Sequence, residues 1–145
     1  MKKRGFTLIE LLAVIVVLAI IALIAVPVVL NIINDAKESS LLRSAEFYLD
    51  AVEYTIADAF LYHGGLSNGT YPITSDGDIC KVNETACQEE NILKVEVSGD
   101  KPTGGYIELN GGVISNVELT LGYRTIYRTS QGELAYLKKL MRYVL

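Results

Sequence analysis

The chain begins as an uninterrupted apolar block and ends in alternation, and the two patterns predict different elements. Leu11 to Leu30 holds no charged or hydrogen-bonding side chain. A helix over about twenty residues spans roughly 30 Å, the thickness of a bilayer's hydrocarbon core. From Asn31 the character changes. Leu41, Ala45, Tyr48, Leu49, Val52, Ile56, Ala59 and Phe60 recur at three- and four-residue spacing. Lys37, Glu38, Arg43, Glu46, Asp50, Glu53 and Asp58 fill the other faces. This predicts an amphipathic helix with one buried stripe, ended by Gly64-Gly65 acting as a C-cap. The apolar block and the amphipathic stretch together predict one long helix reaching His63.

Leu66 to Asn91 is rich in Gly, Ser, Thr, Asn and acids and predicts a long loop. From Ile92 the period becomes two. Ile92–Val97, Tyr106–Leu109, Val113–Leu121 and Tyr123–Thr129 read as strands. Asn110-Gly111-Gly112 is a tight hairpin turn, and Gly122 marks a second turn or a bulge. Glu133 to Val144 returns to helical spacing through Leu134, Leu137, Leu140, Met141 and Val144, with Lys138, Lys139 and Arg142 making it basic. A terminal helix packed on the sheet and a final strand through Tyr143-Val144-Leu145 both fit. The expected fold class is α+β: a long N-terminal helix packed on a small antiparallel sheet of three or four strands. The expected segments are 1–5, 6–30, 31–63, 64–91 and 92–145.

Charge narrows the partners. The formal net charge is −4, and removing Lys2, Lys3 and Arg4 leaves −7. An acidic outer portion argues against a broad nucleic-acid-binding surface. The basic residues before the apolar run place that end in the cytoplasm by the positive-inside rule, so the remainder is extracytoplasmic. In an oxidising compartment Cys80 and Cys87 favour a disulfide over two free thiols, and so short a loop would stabilise by about 2–3 kcal/mol. A zinc site does not fit, because His63 is the only histidine beside two cysteines. Asp76-Gly77-Asp78 offers two carboxylates to a calcium ion, but a solvated turn is the better reading. Asn68-Gly69-Thr70 and Asn83-Glu84-Thr85 match glycosylation acceptors. Tyr48, Tyr54 and Tyr62 are read as packing residues rather than an electron path. No nucleophile–base pair, phosphate-binding glycine loop or metal-ligand cluster is present, so no catalytic residue, metal or cofactor is assigned.

One residue resists the reading of a plain anchor. Glu10 places a carboxylate at the start of the apolar segment, where a charge is costly: about 2.5–3.5 kcal/mol at mid-bilayer on insertion scales. The apolar run is too long for a secretory signal and no Ala-x-Ala site follows it. The residues around Glu10 are Lys2-Lys3-Arg4-Gly5, then Phe6-Thr7-Leu8-Ile9-Glu10-Leu11-Leu12. This junction resembles the cleavage site of type IV prepilins, the class III signal peptides, over every one of these positions. The likeness continues to Pro27, where that family commonly carries a proline, and covers roughly residues 1 to 60. Gly69-Thr70-Tyr71-Pro72 resembles the Tyr-Pro that follows the long helix in pilins and pseudopilins.

The resemblance implies cleavage between Gly5 and Phe6 by prepilin peptidase, N-methylation of Phe6, and retention of the apolar helix as a filament core. It implies assembly through Phe6, Thr7 and Glu10, a helix loosened at Pro27, identical or related subunits as partners, and an inner-membrane assembly platform. The subunit would be a single-pass membrane protein before assembly and part of an extracellular pilus afterwards, serving adhesion, motility or DNA uptake. A pseudopilin of a type II secretion or competence machine shares the same N-terminal pattern; a plain anchored binding module leaves the junction unexplained. The physical logic runs alongside. A cleaved Phe6 carries an amine, and Glu10 lies four residues on, so both share a helix face. In a low-dielectric bundle of staggered helices, one axial offset pairs the carboxylate of one subunit with the amine of the next, and an unpaired charge is costly.

Overall fold

The computed structural model describes residues 5–81, 87, 91–129 and 132–136. The chain falls into two compact units, residues 1–39 and 40–145. Helix α1 spans Leu8–His63. Within the first unit its apolar residues from Leu8 to Ile33 are exposed, and the helix continues through Pro27. Its length and apolar composition suffice to cross a membrane.

In the second unit, α1 presents the predicted stripe. Ala45, Tyr48, Leu49, Val52, Ile56 and Ala59 are buried, and Leu41 packs against them partly buried. Phe60 departs from expectation: it is 71% exposed. The buried stripe ends at Ala59, and the Phe60 ring lies over Gly65, where a Cβ would come within 2.9 Å of it. The helix closes at the predicted Gly64-Gly65, with the Gly65 N–H donating to the Ala59 carbonyl at 3.0 Å.

The fold is α+β as the pattern predicts, with a larger sheet. Strands β1 (Gly69–Pro72), β4 (Gly104–Asn110), β5 (Val113–Leu121), β6 (Arg124–Arg128) and β7 (Leu134–Tyr136) form a five-stranded sheet in the order β1-β4-β5-β6-β7. All its pairs are antiparallel. Strands β2 (Ile79–Cys80) and β3 (Ile92–Leu93) form a separate two-stranded sheet. The expected loop 64–91 therefore contains two strands. Of the expected strand Ile92–Val97, only its first two residues are strand, and they pair with β2 rather than the main sheet. The helical reading of Glu133–Val144 gives way to strand β7 at Leu134–Tyr136, and residues 137–145 lie outside the described set.

Inward-facing residues of the main sheet meet the helix stripe. Tyr71, Ile107, Leu109, Ile114, Val117, Leu119, Leu121, Ile126 and Tyr136 join the helix residues in one core, with Ile73, Ile79 and Val95 from the neighbouring segments. Two local features set the register. Gly111 and Gly112 adopt φ of 64° and 78°, the left-handed pair a two-residue hairpin requires. A bulge lies between Glu108/Leu109 and their partners Asn116 and Ile114. It leaves Ser115 unpaired, its hydroxyl donating to the Glu108 carbonyl at 3.0 Å. The extra residue shifts the side-chain phase, so Ile114 and Val117 both face the core.

Candidate processing and assembly site

The Gly5–Phe6 junction precedes α1 on exposed backbone, with Phe6 87% exposed. Thr7 is the N-cap. Its backbone N–H donates to Glu10 Oε2 at 2.9 Å, and its Oγ1 donates to the same oxygen at 2.7 Å. In return the Glu10 N–H donates to Thr7 Oγ1 at 3.3 Å. Thr7 and Glu10 thus make the reciprocal arrangement of a capping box, which satisfies two of the orphan donors at a helix start. The carboxylate also sits at the positive end of the helix dipole.

This geometry gives Glu10 a role within its own helix. In the uncut chain the carboxylate is already hydrogen-bonded within its own helix, which lessens the penalty of keeping it in an apolar segment. Both donors use Oε2. Oε1 makes no hydrogen bond among the described residues, and Glu10 is exposed. A capping box was readable in Thr7-Leu8-Ile9-Glu10, whose T-x-x-E spacing is its signature.

The other candidate residues are placed as follows. Cys80 and Cys87 are joined, with Cα atoms 5.8 Å apart. Cys80 is fully buried beside the core and Cys87 is exposed. The Lys81 N–H donates to the Asn91 carbonyl at 3.1 Å, closing the same excursion at its base. Asp78 is tied into the surrounding structure through its side chain. Its Oδ1 accepts the Val95 N–H at 3.0 Å and lies 3.5 Å from Lys101 Nζ. Among the described residues no group of three His, Cys, Asp or Glu could hold a metal. Asn68 Oδ1 accepts the Gly111 N–H at 2.8 Å, tying the post-helix segment to the β4–β5 turn. The acceptor triplet at Asn83 and the basic cluster Lys138, Lys139 and Arg142 lie outside the described residues. Of the three tyrosines, Tyr48 is buried in the core, while Tyr54 and Tyr62 are exposed on the helix.

The fold defines an α+β protein with one apolar N-terminal helix, and the junction defines a processing signal on it. Residues 1–26 match the family model of the prokaryotic N-terminal methylation motif, the hallmark of type IV pilins and pseudopilins. The motif supports a type IV pilin-like or pseudopilin precursor and indicates a structural subunit. It implies cleavage by prepilin peptidase. Together with the long apolar helix it fits single-pass membrane anchoring. No curated protein and no solved structure matches the chain.

Proposed function

We propose that the chain is a type IV pilin subunit: inserted in the membrane as a prepilin, cleaved after Gly5, methylated on Phe6 and polymerised with identical copies into a surface filament. The observation that carries this reading is the Glu10 carboxylate, set in the matched motif one helical turn after Phe6. In this reading residues 1–5 are the leader and 6–30 the helix that forms the filament core. Residues 31–63 are the amphipathic half that carries the outer domain, and 64–91 and 92–145 are the displayed surface. Cleavage exposes an amine at Phe6. The Glu10 of one subunit pairs with that amine on the next through Oε1, while Thr7 holds Oε2. Pro27 removes one helical hydrogen bond and gives the core helix a point at which to adjust.

A pseudopilin of a secretion or DNA-uptake machine carries the same motif. Retention of the acid at Glu10 favours a subunit of the filament body over one confined to a tip. The test is Glu10→Ala in the full chain, expressed with its assembly machinery. Mass spectrometry should find methyl-Phe6 at the mature terminus of both proteins, while sheared filaments are lost only in the variant. Wild-type filament yield from Glu10→Ala refutes the ion-pair reading. A mature terminus at Met1 refutes the processing itself. Abundance of the wild-type chain in sheared surface filaments separates a pilin from a pseudopilin.

A further inference from the structure

Two apolar features of the second unit lie at opposite ends of β5. At one end, the last turns of α1, the segment after it and the β4–β5 turn enclose an open cleft of about 770 Å³. Its apolar lining includes Ile56, Phe60, Leu61 and Val113, and the last three are 71%, 76% and 66% exposed. At the other end, the two-residue β5–β6 turn projects Tyr123, 77% exposed. Large apolar groups left open in this way mark interaction sites rather than ordinary surface.

We propose that Tyr123 of one copy of this chain docks into the α1/β4–β5 cleft of a second copy. The proposal rests on the filament reading above. Val113 and Leu121 bound β5, and at ~3.4 Å per residue its nine residues put the cleft and the turn about 27 Å apart. One copy therefore cannot fill its own cleft. The tip is held ready for a partner: the Arg124 guanidinium lies 5.4 Å from the Tyr123 ring and 5.1 Å from the ring of buried Tyr136. A ring already fixed by such stacking loses little freedom on docking. Charges match as well, since Arg124 brings a cation behind the ring and Glu53 lines the cleft. A tip-to-cleft contact is heterologous. It leaves one free tip and one free cleft at every step, so it extends a row of subunits instead of closing a dimer.

The test places a benzophenone amino acid at position 123 of the full chain in cells that assemble it. Irradiation of sheared filaments should join neighbouring subunits, with the linked peptides mapping to residues 53–66 or 111–114. In parallel, Tyr123→Ala should lower filament yield roughly tenfold or more, and Tyr123→Phe should keep it, as expected for an aromatic anchor. The Cys80–Cys87 bond and an unchanged urea midpoint of the detergent-solubilised chain report that the variants fold. Links mapping elsewhere, or undiminished yield from Tyr123→Ala, overturn this contact and leave the filament reading standing. Absence of any filament from the wild-type chain overturns both.

Discussion

Gly105→Ala is the sharpest test of the sheet. Gly105 lies in β4 opposite Leu119 and adopts φ of +116°. A Cβ there would meet the Glu118 carbonyl oxygen, sit 2.8 Å from its carbon, and 3.1 Å from the Leu119 Cα. All three neighbours are backbone, so no side chain can rotate away. Two effects combine. A non-glycine residue at such a φ is strained by about 1–3 kcal/mol, and relieving the overlap pushes β4 from β5, an overpacking of about 1–3 kcal/mol. The displacement also endangers the bonds flanking this point, Ile73 N–H to Gly105 O at 3.0 Å and Thr103 N–H to Thr120 O at 2.9 Å. The expected loss is about 3–5 kcal/mol, a large part of the roughly 5–15 kcal/mol a domain has. Urea unfolding of the detergent-solubilised full chain, followed by circular dichroism, reads it. At ~1–3 kcal/mol per M, the midpoint should fall by more than about 1 M. Gly112→Ala is the control: φ is +78° with open space around the added carbon, so backbone strain of about 1–2 kcal/mol alone remains. Equal losses from the two substitutions refute the steric argument.

Three further outcomes follow from the packing. Replacing Cys80 and Cys87 together by Ser should cost about 2.5 kcal/mol for so short a loop, read as a lower urea midpoint that dithiothreitol no longer changes. Leu119→Ala, at a fully buried site, should cost about 2–5 kcal/mol in the same titration. The Tyr48 hydroxyl is buried with no hydrogen-bond partner among the described residues, and burial, aided by the nearby Asp78 charge, raises its pKa from the ordinary 10.0. A raised folded value means that its stability is intact below about pH 10 and is lost as pH climbs above it, because the unfolded chain ionises first. Tyr48→Phe should flatten this alkaline decline and leave neutral stability equal or higher; an unchanged alkaline transition contradicts the assignment.

The features that were legible in the sequence are those with strong periodicity or special backbone demands. The stripe from Ala45 to Ala59 follows its period, strand Val113–Leu121 follows its own from Val117 onward, and Gly111-Gly112 makes the turn its left-handed angles allow. Strand β1 was hidden because Gly69 and Thr70 are exposed and only Tyr71 among its four residues is buried. Its pairing with β4 is a long-range contact that no local pattern carries. The Ser115 bulge was invisible because its signature, two polar residues together in an apolar alternation, is also that of a plain irregularity. Leu134–Tyr136 has helical spacing yet adds to the open edge of β6, where pairing outweighs propensity. At the junction, the T-x-x-E spacing of Thr7 and Glu10 encodes their mutual hydrogen bonding, but the apolar run that follows masks it as a helix-start signal.

The sheet order has a practical corollary. β1 and β4 are neighbours, so residues 73–103 leave the sheet and return to its next position. The Cys80–Cys87 bond and the Lys81–Asn91 hydrogen bond close the far part of that excursion at its own base. Lys81 and Asn91, the two ends of this stretch, are thus fixed to each other beside the paired β2 and β3. In a filament of the proposed kind, a foreign epitope inserted between these two fixed ends would be repeated on every subunit.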